Sequence, residues 1–236
     1  MTKKIFSLQT SLLVLGALVF TYVGYIETPI VVKLWQSPWP PFRDFMSDSM
    51  YEGGYFGASD IGVTAAIVCF FAWFYYRNTP ERSRLFSHEE LRFIWINSLM
   101  TAIVAVHSLK WIIGRERPKV FFETVNIGDL NLADLSSFHL PGFLPFIGPR
   151  GINLNSFPSG HTASCAILLT FCYVMWPKNR LVSLLGGIAV LTLACGMAMA
   201  RSMAGMHWLS DSVASLFLTW SIIHFNWLKI KRKTHT

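Results

Sequence analysis

Residues 181–200 read LVSLLGGIAVLTLACGMAMA, twenty amino acids without a single formal charge. A helix advances about 1.5 Å per residue, so roughly 20 residues cross the ~30 Å hydrocarbon layer of a bilayer. A surface helix of a soluble protein would show a polar face within that length, and this one does not. The stretch is therefore predicted to cross a membrane.

Five more apolar segments appear on either side of it: Ile5 to Ile26, Ile61 to Tyr76, Phe93 to Ile113, Thr162 to Trp176 and Leu209 to Leu228. The second and fourth in chain order are short for a full crossing. Composition agrees with a lipid environment, since 53% of the 236 residues are apolar and only 14% are charged, where a soluble domain carries about 25%. Lys3 and Lys4 ahead of the first segment resemble the start of a signal peptide, but no small-x-small cleavage site follows, so the segment is read as a retained helix. The expected fold class is all-α: a six-transmembrane-helix bundle forming a single domain over residues 1–236, without internal repeats.

Six crossings place both termini on one side. Twelve of the 20 Lys and Arg residues then fall on that side: Lys3, Lys4, Arg77, Arg82, Arg84, Arg92, Lys178, Arg180, Lys229, Lys231, Arg232 and Lys233. The positive-inside rule makes this the cytoplasmic face of a bacterial inner membrane. The net charge of +7 is accounted for by membrane borders, where anionic lipids attract it, and nucleic acid is not expected as a partner. Cys69, Cys165, Cys172 and Cys195 all lie in apolar segments without a CxxC spacing, and read as small hydrophobes.

The long connectors lie on the other, periplasmic side, at about Glu27 to Asp60 and Gly114 to His161. The first mixes Trp35, Trp39, Phe42, Phe45, Met50, Tyr51, Tyr55 and Phe56 with Asp and Pro, as suits a segment lying in the head-group layer. The second contains the apolar, Pro-broken run from Phe138 to Phe146, suited to capping a lipid cleft.

Near the outer helix ends stand side chains that are costly in a membrane unless they have work there. Lys110 and Arg117 are seven residues apart, which puts two cations on one face if the third helix continues to Pro118. Pro158-Ser159-Gly160-His161 opens the fourth helix, whose free N–H groups and partial positive charge suit an anion, with Gly160 permitting close approach to the backbone. Arg201 follows the fifth segment, and His207 and Asp211, four residues apart, stand at the start of the sixth. One helical turn would set the carboxylate beside the imidazole, leaving the far ring nitrogen unprotonated as a nucleophile and His161 as general acid.

These three pieces, Lys110 to Arg117-Pro118, Pro158 to His161, and Arg201 to His207 to Asp211, resemble in order and spacing the signature of the type 2 phosphatidic acid phosphatase superfamily. One position departs from it: Ala200 stands where that signature usually has serine, and the loss of a supporting hydrogen bond is expected there.

The resemblance implies a lipid phosphatase in which His207 attacks phosphorus to form a phosphohistidine, Asp211 orients the imidazole, and His161 protonates the leaving oxygen and then activates water. Lys110, Arg117, Arg201, Ser159 and the Gly160 N–H would hold the phosphate oxygens, standing in for the metal many phosphoryl-transfer enzymes use. No metal or other cofactor and no obligate protein partner is expected; the partner is a lipid substrate in the membrane. The resemblance offers lipid A, phosphatidylglycerophosphate and undecaprenyl diphosphate. His139, Arg115, Lys119 and Arg150 in the long connector lean towards a bulky polyanionic head group and hence lipid A, although ordinary solvated charges explain them as well. His107, one turn before Lys110, is expected to pack within its helix. Two other readings use the same features: a lipid-to-lipid phosphotransferase, and a non-catalytic lipid-binding or lipid-translocating protein.

Overall fold

The uncharged stretch at 181–200 forms most of a 24-residue helix, Arg180–Met203, in the computed structural model. The structure describes residues 2–36, 39–46, 61–76, 86–124 and 155–233. It is helical throughout, with only an isolated parallel bridge, Arg115 to Asn155, among the described residues. In chain order the helices are α1 (Thr2–Gln36), α2 (Pro40–Asp44), α3 (Ile61–Tyr75), α4 (His88–Leu99), a π-helical stretch (Met100–His107) continuing into α5 (Ser108–Ile112), α6 (Pro118–Thr124), α7 (Gly160–Ile167), α8 (Leu169–Met175), α9 (Arg180–Met203) and α10 (Leu209–Lys233).

Four helical spans among the described residues are long and apolar enough to cross a membrane: Leu13–Gln36, His88–Lys110, Arg180–Met203 and Leu209–Ile230. Gly62–Tyr75 and Gly160–Met175 are shorter apolar helices. These are the two segments whose sequence already reads as short, so four of the six expected crossings fall on helices of crossing length.

Local chemistry sets the boundaries. Ser87 opens α4 with a capping box: its hydroxyl accepts from Glu90 N at 3.2 Å, and Glu90 Oε2 accepts from Ser87 N at 2.7 Å. Asn179 caps α9 by accepting from Val182 N at 3.1 Å. Between α7 and α8 the chain tightens at Leu168, whose N–H bonds back to the Cys165 carbonyl at 3.2 Å.

Packing is that of a membrane protein. Leu13, Leu18, Phe71, Phe74, Leu181, Leu184 and Ile188 point outward and are exposed, whereas Ser156, Ser202, Ser210, Ser215 and Asn97 are buried. Lipid satisfies the first set and internal hydrogen bonds the second. α1 lies along α10, α3 along α4, and α7 against both α9 and α10. One apolar cluster, Cys69, Leu91, Phe93, Ile94, Leu169, Val174 and Ile223, joins α3, α4, α8 and α10. A second, Val31, Val32, Phe122 and Trp208, packs α1 and α6 beneath the connector between α9 and α10. The cysteines behave as expected: all four are free, and Cys69 and Cys165 are buried.

Two boundaries correct the sequence reading. The first helix does not end at Ile26 but continues to Gln36 through Glu27 and Pro29. Glu27 is accommodated because Arg115 pairs with it at 2.8 Å and both are buried, so the charge does not terminate the helix. The third does not continue to Pro118: α5 ends at Ile112 and Ile113 is extended (φ −107°, ψ 107°). Pro118 instead opens α6, where its missing N–H costs no hydrogen bond. The expected interfacial segment at Met50, Tyr51, Tyr55 and Phe56, the cap at 138–146, His139, Arg150, and the basic Arg77, Arg82 and Arg84 lie outside the described residues.

Candidate active site

Residues 113–117 link α5 to α6, and this link and the first turn of α6 dock on the connector between α9 and α10. Three contacts fix the two segments together: Lys119 N donates to the Gly205 carbonyl at 3.0 Å, Trp208 Nε1 to the Glu116 carbonyl at 2.9 Å, and Arg117 Nη1 to the Met206 sulfur at 2.8 Å. Arg117 therefore reaches the site from this link, not from the helix face it was expected to share with Lys110. Gly205 turns the connector with φ +62°, a conformation that favours glycine.

α7 begins at the centre. Ser159 is its N-cap, accepting from Thr162 N at 3.4 Å and bonding the Thr162 hydroxyl at 3.1 Å. The Ser159 side chain is fully buried and so braces its own helix. A Cβ built on Gly160 would stand 3.6 Å from Val106 and 3.9 Å from Lys110 Nζ, so the first turn of α7 faces the Lys110 ammonium directly. Lys110 lies within electrostatic range of Arg117 and Arg201, and all three lie within range of His161. The structure thus brings together at one place the three cations and the helix N-terminus named from the sequence. Gly160→Ala is accordingly expected to fold normally, because its methyl makes only ordinary contacts, and to lower turnover at least ~10-fold by occupying the space over the first N–H groups of α7; thermal melting and phosphate release measured side by side check this.

The His161 and His207 rings are neighbours, with centroids 6.1 Å apart and planes tilted by 56°. His207 is buried, and its Nδ1 lies 2.6 Å from the Ser156 carbonyl. A carbonyl can only accept, so Nδ1 carries the hydrogen and Nε2 keeps its lone pair. Here the expected arrangement is corrected. The Asp211 carboxylate is 3.8 Å from Nδ1, too long for a hydrogen bond, and it is the Ser156 backbone that sets the tautomer. Asp211 instead acts at short range on charge, while its Oδ2 accepts from Trp208 N at 2.9 Å and from the Ser156 hydroxyl at 2.5 Å. Burial, opposed by Asp211 and reinforced by Lys110 and Arg201, holds the His207 pKa down at about 4. The ring is neutral at pH 7.

Four participants escaped the sequence reading. Ser156 supplies the tautomer-setting carbonyl, and is itself held by the bridge to Arg115, whose carbonyl accepts from Ser156 N at 3.0 Å. Arg115 is no solvated charge: it is buried, pairs with Asp211 at 2.6 Å and Glu27 at 2.8 Å, and lies 5.4 Å over the Trp208 ring. Burial opposes its charge, but the Asp211 and Glu27 carboxylates outweigh burial and raise its pKa. Glu27 and Ser210 complete the group. The available signal was Glu27, the one acid in the 35 residues of α1. Of the remaining expectations, His107 is exposed and does not pack within the bundle. Among the described residues no group of three or more His, Cys, Asp or Glu could hold a metal ion.

A model of the PAP2 superfamily matches residues 91–235, more than half of the chain and all of the motif positions. The chain belongs to the PAP2 superfamily. Phosphatidylglycerophosphatase B of Escherichia coli (strain K12) is similar to this PAP2 chain, with 36% identity over 72 residues, covering 29% of the chain and 26% of that protein. The protein of the same name from Shigella flexneri matches with the same figures. The match spans about a quarter of the length of these curated relatives. Among solved structures, a transmembrane PAP2 type phosphatidylglycerolphosphate phosphatase from Bacillus subtilis superposes with a TM-score of 0.54 at 16% identity, covering 95% of this chain and 96% of that one. At that identity the likeness is one of fold: this is a membrane PAP2 bundle.

Proposed function

We propose that this PAP2 protein is a lipid phosphatase that hydrolyses a phosphate ester on a lipid head group through a phosphohistidine on His207. The observation that carries the reading is the pair of rings 6.1 Å apart, one of them held as the Nδ1–H tautomer by the Ser156 carbonyl. His207 Nε2 attacks phosphorus, and the P–O bond to the lipid breaks as His161 delivers a proton to the departing oxygen. Water, deprotonated by His161, then attacks the phosphohistidine, releasing inorganic phosphate and restoring neutral His207. Lys110, Arg117, Arg201 and the first N–H groups of α7 hold the non-bridging oxygens and offset the charge that gathers on them. In this reading the protein needs no metal.

Phosphatidylglycerophosphate becomes the first substrate to test, ahead of lipid A. The phosphatidylglycerophosphate phosphatases to which the chain is similar support it, and the lean towards lipid A loses one support because Arg115 is buried in an ion-pair network. Undecaprenyl diphosphate is the third candidate. Six crossings in one domain, both termini in the cytoplasm of a bacterial cell and the site at the periplasmic face remain our proposed topology, supported by the basic residues of the connectors. Transfer to a second lipid alcohol in place of water uses the same site and is separated by product analysis, whereas a binding or translocating protein would not depend on His207.

Purified protein in detergent with EDTA should release phosphate from at least one of the three lipids and be inhibited by vanadate, a mimic of the five-coordinate phosphorus. Loss of release on EDTA treatment with recovery on adding Mg²⁺ would overturn the metal-free reading. The pH profile adds a sign. A nucleophile must be unprotonated, and the His207 pKa of about 4 keeps it so down to that pH, not merely to the ~6.5 of an ordinary histidine. The acid limb of single-turnover phosphorylation, after correction for ionisation of the substrate, should therefore lie near pH 4; an acid limb with a midpoint at ~6.5 would contradict it.

A further inference from the structure

Four buried groups behind His207 form a continuous chain of contacts that reaches α1. Glu27 Oε1 pairs with Arg115 Nη2 at 2.8 Å, and Arg115 Nη1 pairs with Asp211 Oδ1 at 2.6 Å. Ser210 closes the ring: its N–H donates to Glu27 Oε2 at 2.7 Å, its hydroxyl donates to Glu27 Oε1 at 2.8 Å, and that hydroxyl accepts from Arg115 Nη1 at 2.6 Å. Relative exposures are 2% for Glu27, 3% for Arg115 and zero for Ser210 and Asp211. Three charges taken out of water cost several kcal/mol each, and an apolar trio would pack α1 on α10 without that cost. An ionisable residue inside a membrane helix is by default a functional one.

The arithmetic of charge suggests the use. Two carboxylates against one guanidinium leave this side of His207 with one net negative charge, while Lys110, Arg117 and Arg201 lie on the phosphate side. Once Nε2 is bonded to phosphorus with Nδ1 still protonated, the imidazole is a cation. Were Asp211 paired with Arg115 alone, its charge would be neutralised and nothing behind the ring would balance that cation. Glu27 divides the guanidinium between two carboxylates, and through Ser210 it also fixes the first turn of α10, where Asp211 stands.

We propose that Glu27 is a positioning residue of the active site, which through Arg115 and Ser210 holds the Asp211 carboxylate in place and keeps its charge available to the phosphorylated His207. This rests on the reading of His207 as nucleophile. Glu27 touches neither substrate nor the reacting atoms, and acts only through its neighbours.

The test is Glu27→Gln, near-identical in shape and still able to accept from Ser210 N. Its kcat on phosphatidylglycerophosphate should fall roughly 10- to 100-fold, the scale of a misplaced catalytic group, with KM unchanged because the phosphate-binding cations are untouched. Glu27→Asp, which keeps the charge, should recover part of the loss. A second arm needs no turnover: in ¹⁵N-histidine-labelled protein, Glu27→Gln should lower the pH at which His207 takes up a proton, since a negative charge behind it is gone. Parental kcat with an unmoved His207 titration overturns the proposal. So does a kcat loss that Glu27→Asp does not relieve while the titration stays in place, the pattern of mere packing. If the parent protein releases no phosphate from any lipid, the phosphatase reading fails by itself and the titration arm decides this proposal. If Glu27→Gln does not fold, the double variant Glu27→Gln/Arg115→Met, which removes both charges, replaces it: folded with parental kcat and titration, it overturns the proposal, and folded with the same deficits it supports it. Failure of both to fold overturns it also, because the pair would then serve assembly of the bundle.

Discussion

His207→Gln should abolish phosphate release, by on the order of 10⁴-fold or more, as the proposed phosphohistidine mechanism requires. Glutamine is chosen over alanine because the ring is buried and its Nδ1–H satisfies the Ser156 carbonyl; the glutamine amide can still donate there, whereas alanine leaves a cavity and an unpaired carbonyl. The melting temperature should therefore stay near the parental value while activity disappears. Rapid quenching of the parent should trap a phosphoryl enzyme that is labile in acid and stable in alkali, the behaviour of a phosphorus–nitrogen bond, and the variant should show none. A phosphoryl enzyme persisting in His207→Gln would remove His207 from the mechanism altogether.

Gly205→Ala should be nearly as damaging, though the residue has no side chain to offer chemistry. Its φ of +62° costs an L-residue about 1–2 kcal/mol. A Cβ there would also sit 2.6 Å from the Trp35 ring and 2.8 Å from Lys119 Cβ, neither of which can be relieved without moving the connector. The Gly205 carbonyl accepts from Lys119 N, and the next residue, Met206, holds Arg117. A shift here displaces Arg117 on one side and His207 on the other. A displacement of ~1 Å is enough for a loss of roughly 10²-fold. Gly187→Ala is the control: nothing lies within 4 Å of its added methyl, and alanine favours a helix, so activity and melting should be unchanged or slightly improved. Parental turnover in Gly205→Ala would show that the connector adapts and that the docking contacts do not set the site.

The apolar segments were legible because lipid imposes a length and a composition that few other environments do. The limits of those segments were not, and α1 shows why: a glutamate followed closely by proline reads as the end of a crossing until a buried arginine 88 positions away is known to neutralise it. The cations and histidines of the three motifs were legible by type and order. How they meet was not. Lys110 and Arg117 converge although the helix between them stops at Ile112, because residues 113–119 find hydrogen-bond partners in a connector that begins after Met203. The spacing of His207 and Asp211 suggested direct contact within one turn, yet His207 precedes α10 and its Nδ1 turns to a backbone carbonyl of Ser156. A carbonyl has no residue type, so that partner leaves no mark in a sequence. Arg115 lay in plain view between Lys110 and Arg117, but nothing local distinguishes a buried arginine from a solvated one.

The stretch that carries every motif begins at residue 91, and one would expect it to be the self-sufficient part of the molecule. The ion pair from Glu27 to Arg115 says otherwise. A fragment starting after α3 would contain all the motif residues and still leave Arg115 with one carboxylate in place of two, so the amino-terminal third braces the site from behind and is not merely an anchor for it. Split the chain between α3 and α4, and the two pieces should be active only where they reassemble in the same membrane.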